Sequence, residues 1–540
     1  MIGVIANSAE HSAICEFFEL FKTPWEFYRP GRQYDVLLNT SGDFVYLDAA
    51  KLVLIYAGQE IQLDADLKIR TSRKRASTSS LSYKGFPIPI YGSSITFEEG
   101  ECEILVDASS HGPAIHLRRH RGSVLGRIGY DLFGEIAVLL TAGQPVENAA
   151  TPTLDLHIAL LRDLIVESGA TLVEIPPVPE GYQFIACLTH DIDHPSIRAH
   201  KFDHTIFGFL YRAVFGSLFG VLRGRSSLRN LLGNWQAALK LLPVYMGLAG
   251  DFWRTLHEYV RLEKGLRSTF FAIPFKNYRG RISKGMAPRL RSSRYGAIDI
   301  GDDLRDLISC GSEVGVHGID AWLDASSGQK ELEEIRHVIA AEKTIGVRMH
   351  WLYFNEQSPV ALEKAGFDYD STIGYNETVG YRAGTSQVYK PLNASRLLEL
   401  PLHIMDTSLF SPGRMHLAPA AAKERVDAIV ANAVEFGGTV TINWHDRSIA
   451  PERSWGEFYL SLLEDLKSRG AWFSTASQAV TWFRRRRAVS FESVKRDFNA
   501  QYLQTSLDSG DDLPNLCLRT FNATEGSEQT ASRPFRDKVS

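Results

Sequence analysis

Four apolar runs in the middle of this 540-residue chain end in side chains that can do chemistry: Asp191 and Asp193, His317, Arg348 with His350, and His445. A single aspartate at a strand end caps the next helix as readily as it catalyses anything. A lone histidine is more often a hydrogen-bonded structural residue. Recurrence at four strand ends within one alternating region points instead to a metal site with an acid and a base beside it. Asp191 and Asp193 are two residues apart, so on an extended strand both face the same way, and so do Arg348 and His350.

The elements that must position these residues follow from periodicity. FIACLTHDID, STFFAIPF, EVGVHG, VRMHWLYF, LLELPLHIMD, TVTINWHD and AWFSTAS are strand candidates, with helix-like stretches such as 331–345 and 420–436 between them. Buried strands alternating with helices imply a parallel sheet, open or closed into a barrel. In both forms the chemistry sits at the carboxyl ends of the strands. Ahead of this region IGVIA, YDVLLNT and KLVLIYAG read as strands and EHSAICEFFELFK as a helix. The Ser- and basic-rich stretch 71–82 reads as a loop, followed by strand-like segments at 86–97, 102–107 and 114–119 and a helix at 154–168. The proline-rich EIPPVPEG at 174–181 holds the chain extended and marks a boundary.

This gives a smaller α/β or α+β domain over 1–175, a larger α/β domain over 181–487 with a helical insertion at about 196–250, and a polar tail over 488–540. The first domain has no glycine-rich phosphate loop, so no cofactor is assigned to it. The tail is expected to be partly disordered, although 513–521 could return to the body as one strand.

Composition bounds the function classes. Hydrophobic residues make up 44% and charged residues 23%, an ordinary globular balance, and the formal charge of -4 argues against nucleic acid as a partner. Cys15, Cys102, Cys187, Cys310 and Cys517 are scattered singly, which fits a reducing compartment and argues against a disulfide framework or a cysteine zinc site. The N-terminus lacks the pattern of a secretory signal, so a cytoplasmic location is expected. The segment 205–222, TIFGFLYRAVFGSLFGVL, carries Arg212 in its middle and is flanked by Arg198, Lys201, Arg223, Arg225 and Arg229 against Asp203. Packing on its own domain is the favoured reading. Peripheral contact with the inner face of a membrane is the other.

The order and wording of the motifs resemble the polysaccharide deacetylase superfamily, carbohydrate esterase family four and its relatives, over about residues 181–487. LTHDID is similar to that family's first motif, which implies Asp191 as catalytic base and Asp193 as a metal ligand. EVGVHG looks like its metal-histidine motif, implying His317. VRMHW matches the strand whose arginine, here Arg348, braces the base. FDYDST lies where the family often has an acidic residue, here Asp370. INWHD resembles the closing motif, whose histidine, here His445, is the general acid. LEKAGFDYDSTIGY, GYRAGT and LLELPLHIMD are similar to a branch found with surface-polysaccharide genes, and the first domain resembles an uncharacterised domain that often precedes it.

The resemblance implies a distorted (β/α) barrel and a divalent metal, zinc in the first instance. The implied activity is hydrolysis of an N-acyl group, N-acetyl above all, on a sugar of a glycan or glycolipid. Hydrolysis of another linear or cyclic amide and non-catalytic glycan binding or assembly on the same scaffold are the competing readings. Where the family has a second metal histidine, four residues after His317, this chain has Ala321. Catalytic zinc normally has three protein ligands, so Asp193 and His317 alone are too few. His350 is the best substitute, Asp320 is a weaker one, and loss of the site is the remaining alternative. His194 reads as structural. Asp370 could orient His445 or Arg348, or cap a turn beside Ser371. Arg382 and Asp406 could contact substrate, or form a loop ion pair and a helix cap. Trp351, Tyr375, Trp444 and Trp455 could form a sugar-stacking wall or belong to the core.

Overall fold

The computed structural model describes residues 1–41, 50–75, 79–100, 104–120, 123–223, 227–340, 345–453, 455–491, 513–521 and 533–534. Near the N-terminus the apolar runs become strands β1 (Ile2–Ile5), β2 (Trp25–Phe27), β3 (Tyr34–Asn39) and β4 (Ala50–Tyr56), joined by β5 (Ile115–His120) and β6 (Ser123–Ile128). They form one sheet in the order β5-β6-β4-β3-β1-β2, parallel except for the β5–β6 pair. Helix His11–Phe21 buries Ile14, Phe17, Phe18 and Phe21, at helical spacing, in a core shared with Val36, Leu38, Leu52 and Leu54.

The stretch 71–82 is not a loop. Thr71–Arg75 pairs with Ser94–Phe97, and Ser79–Tyr83 pairs with Phe86–Ile90. Serines conceal the alternation: Ser79, Leu81 and Tyr83 are buried, and the Ser79 hydroxyl meets that of Ser94 at 2.6 Å inside the domain. A buried serine paired across strands counts toward the inward face, which a hydropathy pattern cannot register.

Residues 181–487 carry the larger sheet: β7 (Phe184–Ile192), β8 (Ser268–Ala272), β9 (Glu313–Gly318), β10 (Val347–Met349), β11 (Tyr369–Asp370), β12 (Leu398–Glu399), β13 (Ile404–Met405), β14 (Thr439–Asn443) and β15 (Ala471–Phe473). Its order is β12-β11-β10-β9-β8-β7-β14-β13, and every pair is parallel. β15 pairs with the first half of β7, on the edge that β8 takes further along. The sheet curls into a distorted, partly open (β/α) barrel. β7 is buried at all nine positions, as a strand covered on both faces must be. Gly346 leads into β10 because nothing larger fits: a Cβ there would lie 2.0 Å from the Tyr369 ring. Helix Ala325–Ile339 starts earlier than periodicity predicts because Asp324 caps it through the Ser327 N–H; residues 341–344 lie outside the described residues.

The insertion between β7 and β8 is helical. His204–Tyr211, Arg212–Gly216 and Ser217–Leu222 run on into one another, and Leu228–Tyr245 packs beside them. At the other end of the chain, Cys517–Phe521 pairs antiparallel with Leu172–Glu174. The rest of the expected disordered tail, 492–512, 522–532 and 535–540, lies outside the described residues.

One side chain ties these parts together. Arg486, fully buried in helix Ala476–Ala488, donates to the carbonyls of Glu19 and Leu20 at the end of helix His11–Phe21, and to Ile175 in the proline-rich connector. Burial pulls its guanidinium down to about 10, which still leaves it charged at neutral pH. Arg486→Met should strand three buried acceptors and cost about 3 kcal/mol or more. The urea unfolding midpoint checks this, and an unchanged midpoint would contradict it.

Candidate metal centre

The carboxyl ends of β7, β9, β10 and β14 converge. Asp191 lies near the end of β7 and Asp193 just beyond it; His317 is in β9, His350 follows β10, and His445 follows β14. Asp193 Oδ1, His317 Nε2 and His350 Nδ1 all lie within 4.8 Å of one another. Asp193 Oδ1 is 3.4 Å from each of the two imidazole nitrogens, which are 3.0 Å apart.

The second nitrogen of each ring fixes what these atoms are. His317 Nδ1 lies 3.0 Å from the Arg348 carbonyl, and His350 Nε2 lies 3.1 Å from the Arg291 carbonyl. A carbonyl can only accept, so each of those nitrogens carries its ring proton. In the neutral form of each ring, His317 Nε2 and His350 Nδ1 then present lone pairs to each other and to a carboxylate oxygen. Asp193 Oδ1 is buried without a hydrogen-bond partner among the described residues. Burial pushes the His350 imidazole down to about 3, so it is neutral at pH 7. Two imidazole nitrogens and a carboxylate oxygen converging in this way fit a divalent cation. Two imidazoles and a carboxylate are also a common zinc donor set.

Local structure holds His350 in place. Trp351 and Leu352 take left-handed backbone (φ 65° and 54°), which turns the chain sharply after β10. The His350 carbonyl then accepts from Arg291 Nη2 at 3.0 Å, while the Arg291 carbonyl receives the imidazole. Arg291 is fully buried, stacked 4.3 Å over the Tyr353 ring.

Asp191 lies to one side of the three ligand atoms. Its Oδ1 accepts from Arg348 Nη1 at 3.1 Å, its Oδ2 from Asn443 Nδ2 at 2.7 Å, and its own N–H meets Asn443 Oδ1 at 3.2 Å. Burial would raise its pKa, but the positive charge around it, Arg348 above all in contact with its Oδ1, outweighs burial and holds it below the usual carboxylate range. Arg348 is itself fixed by Thr189 Oγ1 and by the carbonyl and hydroxyl of Ser371. On the other side, His445 Nδ1 lies 2.6 Å from Asp406 Oδ1 and its Nε2 lies 3.9 Å from Asp193 Oδ2. Burial alone would lower the His445 pKa; Asp406 overrides it and raises it to about 9.

Several expectations need correction. Asp370 contacts neither His445 nor Arg348: it accepts from Thr372 and pairs with Glu399 on the adjacent strand, where burial raises both carboxyl groups. It follows a strand register that turns it away from the mouth. The orienting acid on His445 is Asp406, which also accepts the His445 N–H at 2.7 Å. Asp320 turns away, accepting from Arg281 and Tyr278. Ala321 is fully buried in the apolar core. Arg382 donates to the Gly374 carbonyl, and its own carbonyl accepts from Gln144, so it serves the contact with the first domain. Of the four aromatics, Trp444 is core, Tyr375 is buried against Gln144, and Trp455 packs on Phe410; Trp351 is the exposed one. Asn443 was missed. Its position two residues before His445 on one strand was the available signal.

No family model and no curated protein matches the chain. Solved structures do align with it, among them polysaccharide deacetylases, an allantoinase and a GH57 branching enzyme. A protein of Mycobacterium smegmatis assigned to the polysaccharide deacetylases is 16% identical, with 60% of this chain and 100% of that one covered and a TM-score of 0.35. A protein of Pseudomonas aeruginosa assigned to the same group is 13% identical, with 57% and 94% covered and a TM-score of 0.36. A family 4 carbohydrate esterase of Bacillus subtilis is 10% identical, with 60% and 89% covered and a TM-score of 0.28.

His350→Ala should weaken zinc binding by more than about 100-fold in a calorimetric titration, since losing even a partner of a ligand costs 10–100-fold. Asp320→Ala should leave it unchanged. The reverse pattern would move the site to the segment after His317.

Proposed function

We propose that this chain is a metal-dependent hydrolase that removes an N-acyl group, N-acetyl in the first instance, from a sugar of a glycan or glycolipid. The observation that carries this reading is an ionised carboxylate 3.8 Å from one of three inward-facing ligand atoms, at His317 Nε2, and a protonated imidazole 3.9 Å from the Asp193 carboxylate. Asp193, His317 and His350 would hold the ion, with zinc suited to two nitrogens and one oxygen. Bound there, it would supply Lewis acidity, polarising an amide carbonyl and bringing the pKa of water to about 7.

The chain's own residues then divide the proton work. Asp191 takes the proton of the attacking water; Arg348 and Asn443 each occupy one of its oxygens, leaving a lone pair free on each for that role. The water oxygen bonds to the acyl carbon as the C–N bond breaks. His445 gives its Nε2 proton to the departing nitrogen, because Nδ1 is committed to Asp406. The products are a carboxylate and a free amine. Exposed Trp351, beside His350, offers one face for a sugar ring.

Asp191→Asn should retain zinc and lose about 10²–10⁴-fold in acetate release from oligomers of N-acetylglucosamine. Wild-type turnover in that variant, or a zinc-loaded native chain that releases no acyl group from any acylated amino sugar, would overturn the proposal.

His445 must be protonated to act as an acid, so activity is lost as pH rises past its pKa of about 9. Asp406→Asn removes the charge that raises that pKa, and burial then dominates. The alkaline limb of the kcat profile should move to lower pH, and kcat should fall. An unmoved limb would show that another group sets it.

A further inference from the structure

The helical insertion carries two apolar faces where a soluble helix pair needs one. Ile206, Phe209 and Ala213 of the first helical run and Ala237 and Val244 of Leu228–Tyr245 are buried together with Trp253 and Ala450. On the outside, Phe207, Tyr211, Phe215, Phe219 and Leu222 follow one another at three- and four-residue spacing, each about half exposed or more. Leu228, Leu232, Trp235, Leu239, Leu242 and Met246 repeat the pattern on the second helix, with Leu239 80% exposed. Side chains of this size rarely stand in water as a continuous stripe.

Charge selects what covers that stripe. Residues 198–250 contain seven lysines and arginines against the single acid Asp203, in a chain whose formal charge is -4. A second copy of a chain that is negative overall supplies the opposite charge only diffusely, and its own insertion would bring the same excess of positive charge. A bilayer rich in anionic lipid supplies both the apolar depth and the negative surface. The run His204–Leu222 is long and apolar enough to cross a membrane by length and composition. Its inner face is nevertheless packed on Trp253, and Arg212 stands at its middle, so it suits lying in the interface.

The start of the first helix borders a cleft whose wall leads to Arg291, a support of the metal centre. Asp203 bonds Arg294, and His204, Met286, Arg289, Leu290 and Arg294 line one cleft of about 640 Å³. Met286 and Leu290 are 55% and 60% exposed, and Arg291, next along, receives the His350 imidazole on its carbonyl.

We infer that the insertion docks the protein on an anionic bilayer surface through the outer face of its two helices, with the cleft beside the metal centre on the same side. Docking of this kind requires neither turnover nor bound metal, so it stands or falls apart from the hydrolytic reading.

The test is flotation of the full chain with vesicles of phosphatidylcholine alone or mixed with phosphatidylglycerol, with and without chelator. The chain should float with the mixed vesicles, more weakly at high salt, whether or not metal is present. The double substitution Leu232→Glu and Leu239→Glu should reduce partitioning by more than about tenfold, because each removes a buried leucine from the lipid phase. Ile298→Glu, at a 70% exposed position away from the insertion, should leave it unchanged. Unaltered zinc uptake and near-ultraviolet circular dichroism would show that the double variant is folded. No flotation of the native chain overturns the proposal, as does a double variant that floats like the native chain. A native dimer that the double variant dissociates, without vesicle binding, would assign the face to self-association instead.

Discussion

Two imidazole nitrogens that can only accept face each other at 3.0 Å, and most of the site is arranged to keep them there. Left alone, lone pairs so placed repel, and the carboxylate oxygen beside them adds to the repulsion. The arrangement persists because each ring is pinned from behind by a backbone carbonyl. One of those carbonyls belongs to Arg348, whose side chain grips Asp191; the other belongs to Arg291, whose side chain grips the His350 carbonyl. The base, the ligands and their supports thus share the same few residues, so the acid–base geometry and the ligand geometry cannot vary independently.

The sheet makes that sharing possible. Parallel neighbours put His317 beside Arg348 in register, which brings the β10 carbonyl to the β9 histidine. β7 and β14 are likewise adjacent, so Asn443 reaches Asp191 and His445 comes within 3.9 Å of the other oxygen of Asp193. Asp406 enters from the end of β13, next to β14, and places its charge on the one imidazole that must stay protonated. Burial alone would deprotonate His445 just as it does His350; the carboxylate beside His350 does not offset burial, whereas Asp406, hydrogen-bonded to His445 Nδ1, does.

Much of this was legible in the sequence, for a physical reason. Fully buried parallel strands are apolar without interruption, so the polar residues that end them stand out, and two-residue spacing tells which of these share a face. That logic reaches Asp191, Asp193, Arg348 and His350. What it cannot reach is contact between strand ends that are distant in sequence. Asp370 and Asp406 look equivalent in the chain, each an acid after a short apolar run. Strand register alone turns Asp370 onto Glu399 and Asp406 onto His445. In the first domain, the serines of 79–83 hid a strand: the buried one, Ser79, meets the Ser94 hydroxyl of another strand, a contact invisible until that strand is placed.

The central claim, that His317 and His350 converge with Asp193 on one ion, is tested most directly by X-ray absorption at the zinc edge of the loaded chain. The account predicts only nitrogen and oxygen neighbours at about 2.0–2.2 Å, with the multiple-scattering signature of two imidazoles. A spectrum with one imidazole, or with sulfur in the first shell, would contradict it.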